Sequence, residues 1–363
     1  MKKLISMVLI ALSFLAFMPM NTSCEKPVQT DGQNANINTE KIDAIIAECE
    51  TVLSEATTDD YPQEAIDAFE NTLNTVKNAL NGNLSQQQVD NMTVQLEKAK
   101  KDFYGKAFSA VSDENILMYF DFNEEGDVLE STGKLRLSAT SKTGPAEIFG
   151  TNLVKPTFVE GVKGTKAINF TDGAHLEIAE YNFNDICKEE ISIAVWVNPK
   201  YITPGNYIFS LNYWNTMKFN LQEQGKPFMT VATDKGICDA DNQTDESAKV
   251  GEWNHFIVTV SLKTHQMKFY VNGALTMTWT DAEKPQLAGT SWKTYESPTG
   301  KTLPIMIGAS TTYEEALSWS WDWEKTPESW LSANCFQGAI DNLAIYDIAM
   351  TDGQARTLYN REK

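Results

Sequence analysis

Residues 252–273 read EWNHFIVTVSLKTHQMKFYVNG. Two runs within them, HFIVTVSL (255–262) and MKFYVNG (267–273), are strand-like: rich in β-branched and aromatic residues and separated by a polar break. The second continues into YVNGAL, where Asn272–Gly273 supplies the two positive φ angles of a tight hairpin. Similar runs precede it: ILMYFDF (116–122), AINF (167–170), HLEI (175–178), EISIAVWV (190–197), NYIFSL (206–211) and PFMTVAT (227–233). In EISIAVWV the period of two puts Ile191, Ile193, Val195 and Val197 on one face and Ser192, Ala194 and Trp196 on the other. Many short strands, turn signals and no long helix after Val111 specify a mostly β chain, an antiparallel β-sandwich.

Upstream the period changes to that of a helix. Ile42, Ile45, Ile46, Cys49, Val52 and Ala56 share a face, as do Ile66, Phe69, Leu73, Val76 and Leu80, and then Val89, Met92, Leu96, Ala99 and Phe103. Pro62 suits a first turn, Asn81–Gly82 a helix end, and Ser85 with Gln88 a capping box. Three apolar stripes need one another, so residues 39–110 are expected to form an N-terminal three-helix bundle.

The chain has 363 residues, 42% of them apolar, and a formal charge of −19. That balance argues against nucleic acid and anionic polymers as partners and suits a neutral ligand or a cation. Lys2 and Lys3 precede the apolar run Leu4–Met18, too short to span a bilayer comfortably. MNTSC (20–24) resembles a bacterial lipoprotein cleavage box, with Asn21 departing from the usual aliphatic residue. The resemblance implies a signal peptide over 1–24, lipidation at Cys24 and anchoring in the outer membrane of a cell envelope. Residues 25–38 are polar, with Pro and Gly, and read as a flexible tether. Export permits disulfides among Cys49, Cys187, Cys238 and Cys335; free buried thiols are the equal alternative, and connectivity is not readable.

Several segments, in order, resemble a laminin-G or concanavalin A-like jelly roll of the bacterial secreted type. They are LMYFDFNEEGDVLESTGK (117–134), GVKGTKAINFTDGAHLEI (161–178), ISIAVWVNP (191–199), the 252–273 hairpin, IMIGAS (305–310) and FQGAIDNLAIYDIAMTDGQARTLY (336–359). The resemblance covers about 113–363 and implies the fold. It implies no single ligand, because this fold hosts lectins, hydrolases and adhesion domains alike. The segment LNTVKNALNGNLSQQQVDNMTVQLEKAKKDF (73–103) is similar to small helical modules of bacterial surface proteins. A spacer is the preferred reading for it, a sugar-binding module the other.

Hydrolases on this fold carry alternating carboxylates on a strand, set for acid and nucleophile at about 5–5.5 Å. The matching strands here are apolar. Asp322 and Glu324 do alternate, and they remain the hydrolase alternative. His175, His255 and His265 show no zinc-ligand spacing, and His255 reads as a satisfied structural side chain. The loop at 121–132 fails as a helical calcium loop, since a strand precedes it and Thr132 stands at the twelfth place. The family resemblance implies instead a structural Ca²⁺ between Asp121 and Asp341. A solvated acidic turn and an aspartate bonded to backbone amides is the competing reading.

SWSWDWEKTPESW (318–330) holds four of the nine tryptophans. It lies in an insertion, from Thr311 to Cys335, where the family usually has a short turn. In extended form Trp319, Trp321 and Trp323 would face one way at about 6.6–6.8 Å intervals, with Tyr313 and Trp330 flanking. An aromatic row outside the core suits the apolar faces of sugar rings; wedging of the same rings under their own loop is the alternative. The leading expectation is a lipid-anchored envelope protein that binds glycan without catalysis. A protein-binding or structural surface module is the second.

Overall fold

The computed structural model describes residues 37–58, 60–319 and 325–363. Cys24 and the leader lie outside them, as do Trp321, Asp322, Trp323 and Glu324.

The helical stripes fold on one another. α1 (Glu40–Glu55), α2 (Gln63–Ala79) and α3 (Gln86–Tyr104) bury Ile42, Ile45, Cys49, Phe69, Leu73, Val76, Val89, Leu96 and Phe103 in one cluster. Phe103 stacks on Tyr61 and Phe69 with ring centroids 4.1 and 4.8 Å apart. Ser85 forms the expected capping box with Gln88. Pro62 stands at the N-cap of α2 rather than inside its first turn. Buried Lys100 pairs with Glu48, which keeps its charge compensated.

After Val111 the chain forms sixteen strands among the described residues. They are β1 (Ile116–Phe120), β2 (Val128–Glu130), β3 (Ser138–Lys142), β4 (Thr157–Glu160), β5 (Lys166–Phe170), β6 (His175–Ile178), β7 (Glu190–Pro199) and β8 (Asn206–Leu211). There follow β9 (Met217–Leu221), β10 (Pro227–Thr233), β11 (Gly236–Asp241), β12 (Asn254–Ser261), β13 (Gln266–Val271), β14 (Ala274–Thr280), β15 (Ile305–Ile307) and β16 (Gly338–Tyr346). Helical segments punctuate them: α4 (Ala146–Phe149), α5 (Phe183–Ile186), α6 (Tyr313–Ser318), α7 (Pro327–Asn334) and α8 (Asp352–Glu362).

Two antiparallel sheets result. One runs β14-β13-β12-β7-β16-β5-β4, with β1 also on β16; the other runs β11-β10-β9-β8-β15-β6-β3-β2. The 252–273 stretch is the β12–β13 hairpin, with Phe256 opposite Val271 and Ser261 opposite Gln266. Val271 then faces Ala274 across Asn272 (φ 48°) and Gly273 (φ 77°), the expected tight turn. Ile191, Ile193, Val195 and Val197 enter the core between the sheets with Phe256, Val258 and Val260. Ala194 and Ile257 turn to the opposite face, where Ala355 and Leu358 of α8 cover them. The sandwich therefore has a second, smaller apolar layer on the outside of its first sheet. α8 also meets α3, and Thr39–Lys363 is one compact unit.

Several side chains depart from expectation or settle an open choice. His255 is fully buried beneath α8, and neither ring nitrogen has a hydrogen-bond partner, so it is not a satisfied structural histidine. Trp196 is buried on that outer face too; its indole N–H donates to Glu362 Oε2 at 2.9 Å. The four cysteines among the described residues are free: Cys49, Cys238 and Cys335 are buried and Cys187 half-buried. Burial pushes the Cys49 and Cys238 thiols up to about 11, which leaves them unreactive near neutrality. Among the described residues no helix is long and apolar enough to cross a membrane.

Candidate functional site

The tryptophan-rich insertion is helical at both described ends. Thr312 caps α6, accepting from the Glu315 N–H, so the helix turns Glu315 and Ala316 inward. Glu315 is completely buried. Its Oε2 accepts from the hydroxyls of Ser297 and Thr299, the latter at 2.6 Å, and its Oε1 accepts from Trp319 Nε1 at 2.9 Å. A dry carboxylate with donors on both oxygens is a strong positional anchor. Here it fixes the indole four residues on, across one helical turn.

Trp319 caps α6 with helical, not extended, backbone angles (φ −81°, ψ −1°). The half-buried ring packs instead on a partner that sequence spacing does not reveal. Trp214 lies at 4.7 Å between centroids, inclined by 49°, and Tyr213 at 6.2 Å, inclined by 69°. Tyr213 is buried and in turn meets Tyr207 at 6.2 Å.

Trp214 sits in the β8–β9 turn, where Asn212 (φ 53°) and Tyr213 (φ 57°) are both left-handed. Two such non-glycine residues cost about 1 kcal/mol or more each and persist only where the surroundings over-determine them. Here Ser210 Oγ donates to the Tyr213 carbonyl, while Asn212 Nδ2 donates to Thr294 Oγ1 and to the Tyr295 carbonyl. Tyr295, 41% exposed, is locked beside the turn by its own N–H to the Asn215 carbonyl. Asn215 Nδ2 and Thr311 Oγ1 are buried nearby in sequence without hydrogen-bond partners, a cost of about 1–3 kcal/mol for each. The strained turn thus stands directly beside the aromatic contact.

The other expected residues divide. Trp330 is 2% exposed. It packs with Ile148, Phe149, Ala316 and Cys335 and lies 5.6 Å from the half-buried Tyr313 ring. It pins α7 to the sandwich and is a correction to its place in a ligand-facing row; Tyr313 belongs to the same anchoring cluster. α7 opens with Pro327 after a Thr326–Ser329 capping box and presses on Gly205, where a β-carbon would come within 2.1 Å of Ala333.

Asp341 is wholly buried. Its Oδ2 accepts from Val162 N (2.9 Å) and Thr165 Oγ1 (3.0 Å), and its Oδ1 from Asn342 N (2.8 Å). Burial raises its carboxyl to about 6, against the pull of those donors. Asp121 is exposed and caps its own turn through Asn123 N. Among the described residues no cluster of three or more acidic, histidine or cysteine side chains could hold a metal. This donor set suits a buried carboxylate that ties the 161–165 loop to β16, and it does not fit a calcium cage.

A family model described as Laminin_G_3, concanavalin A-like lectin/glucanases superfamily, matches residues 170–356. No curated protein matches the chain. Among solved structures, domain 4 of AbnA, a GH43 extracellular arabinanase from Geobacillus stearothermophilus solved with arabinotriose, is 16% identical with a TM-score of 0.44. That match covers 68% of this chain and 98% of that one. The binding domain of Paraclostridial Mosquitocidal Protein 1 is 15% identical (TM-score 0.46; 68% and 52% covered). The binding domain of Botulinum neurotoxin DC, in complex with rat synaptotagmin II, is 12% identical (TM-score 0.46; 69% and 52% covered). The chain thus spans about half the length of the two toxin domains.

Proposed function

The chain belongs to the Laminin_G_3 family of the concanavalin A-like lectin/glucanases superfamily, and from that premise we propose that it binds a neutral glycan, without catalysis, at the Trp214–Trp319 corner. One observation carries this reading: two half-buried indoles are held in contact by a buried carboxylate on one side and a strained, bonded turn on the other. Indole rings at a rim offer the flat electron-rich area on which the C–H face of a pyranose stacks. Rigid rings lose little entropy on binding. A net charge of −19 disfavours polyanions and leaves neutral saccharides unopposed. Glu315, with no exposure and three donors, serves as an anchor and does not act as a catalytic acid.

The test is calorimetric titration with neutral oligosaccharides, followed by Trp214→Ala and Trp319→Ala. Each substitution is expected to weaken binding about tenfold or more, some 1.4 kcal/mol. Failure of every glycan to bind, or affinity indifferent to both changes, defeats the reading.

The protein is further proposed to be lipidated at Cys24 and held at the outer membrane, on the strength of the apolar leader and the MNTSC box. The wild type is expected in the membrane fraction and Cys24→Ala outside it; a Cys24→Ala form still partitioning with membranes removes the anchor.

A further inference from the structure

Outward-facing residues of the first sheet change character along its strands. Under α8 the outer face is apolar, with Ala194, Ile257 and Tyr270 covered by Ala355 and Leu358. Beyond the start of α8 at Asp352 the same face carries polar groups in two cross-strand rows. Glu190, Ser261 and Gln266 lie opposite one another on β7, β12 and β13, and so do Ser192, Thr259 and Lys268. With strands about 4.8 Å apart and same-face residues about 6.7 Å apart along each strand, this is a grid about 10 Å wide.

An ordinary solvated strand face would leave such residues exposed. Here Thr259 and Ser261 are each only 2% exposed, at the edge of α8 where Asp352 and Gly353 begin the helix. They form the floor of a groove of about 480 Å³, walled by the 349–353 segment and by Glu190, Gln266 and Lys268. That volume lies in the range of small-molecule sites.

The walls are fixed. Ser192 Oγ donates to the Ile348 carbonyl (2.6 Å) and accepts from Met350 N (3.1 Å), which ties the wall to the floor. Ser261 Oγ donates to Glu190 Oε1 at 2.8 Å. Asp352 Oδ1 accepts from the Tyr270 hydroxyl at 3.0 Å and lies 3.4 Å from Lys268 Nζ. The groove therefore presents pinned carboxylates, an ammonium, an amide and hydroxyls, with no aromatic ring on its floor. Hydroxyls both donate and accept, so a polyol meets such a mixed set better than an anion or an apolar molecule does.

We infer that this groove on the outer face of β7, β12 and β13 is a second saccharide site, independent of the aromatic corner, which grips sugar hydroxyls edge-on without stacking. The test uses the Trp319→Ala protein, so that the corner does not mask the result, with cellotriose, xylotriose, arabinotriose and tri-N-acetylchitotriose as probes. Amide NMR shifts of Thr259, Ser261 and Lys268 are expected to move with at least one of them. Lys268→Met with Gln266→Ala is expected to weaken that binding at least tenfold and leave the melting temperature unchanged. No shift at these amides with any probe at about 20 mM, or shifts that survive the double substitution, overturn the inference. Binding in the groove with none at Trp214 and Trp319 in the wild type would sink the corner and leave the groove standing.

Discussion

Glu315→Ala is expected to remove glycan affinity and stability together, while Glu315→Gln keeps most of both. The carboxylate is fully buried and takes donors from Ser297, Thr299 and Trp319. Alanine leaves two hydroxyls and an indole N–H facing a void. Hydrogen bonds to a charged group are worth about 1.5–3 kcal/mol, and stranded donors add their desolvation, so a loss of about 3 kcal/mol is expected. That is several degrees in a thermal melt. The indole, no longer tethered to α6, would lose its set distance from Trp214. Glutamine retains one acceptor for Trp319 Nε1, and the serine and threonine hydroxyls can rotate to accept from its amide. Melting curves and glycan titrations on the two variants check this. Equal melting temperatures for wild type and Glu315→Ala would mean that the carboxylate does not hold the corner.

The contrast between the sandwich and its rim shows what the residues disclose in one dimension. Period-two alternation assigned both faces of β7, and Asn272–Gly273 fixed a turn, because those signals are local. β3, reading SATSK, has no apolar alternation and does not announce itself as a strand, whereas β14, reading ALTMTWT after the Asn272–Gly273 turn, does alternate. The rim was harder. Thr312-x-x-Glu315 is a capping pattern that could have revealed α6, yet Glu315 sends its carboxylate to Ser297 and Thr299. Trp214 reaches Trp319 across the sheet from a turn about a hundred residues earlier. Contacts of that separation leave no periodicity to read, and the reading that set Trp330 beside a ligand-facing row missed its place as an anchor. A related limit applies to His255: its alternating strand suggested a satisfied structural side chain, but the arrival of α8 above it, which leaves both ring nitrogens unpartnered, was invisible locally.

That histidine sits in a dry pocket with Glu362, and the pair predicts an unusual pH profile. His255 Nε2 lies 3.7 Å from Glu362 Oε2, beyond hydrogen-bond range, and packs on the rings of Trp196 and Tyr359. Burial lowers His255 from 6.5 to about 3. Burial raises Glu362 from 4.5 to about 7, opposed by Arg361, by the Trp196 N–H and by Lys101, and reinforced by Asp341. Tyr119 and Tyr346 also face this carboxylate. Below about pH 7 and down to 4.5 the folded protein keeps a proton on Glu362 that the unfolded chain has released, so acidification stabilises. Asp341 acts in the same direction between about 6 and 3.8. His255 acts oppositely: from 6.5 down to about 3 the unfolded chain binds a proton that the fold refuses, and stability is lost. Glu362→Gln, a neutral amide in place of the protonated acid, is therefore expected to raise the melting temperature clearly at pH 8 and much less at pH 5, the gain vanishing only below about 4.5. His255→Phe, which suits the aromatic pocket, is expected to gain on the wild type steadily from pH 7 to pH 4.5. Melts at pH 8, 6.5 and 5 separate this from an ion pair between a cationic His255 and an ionised Glu362. In that case both substitutions would destabilise the protein, most of all near neutrality, where leaving one buried charge without its partner is costly.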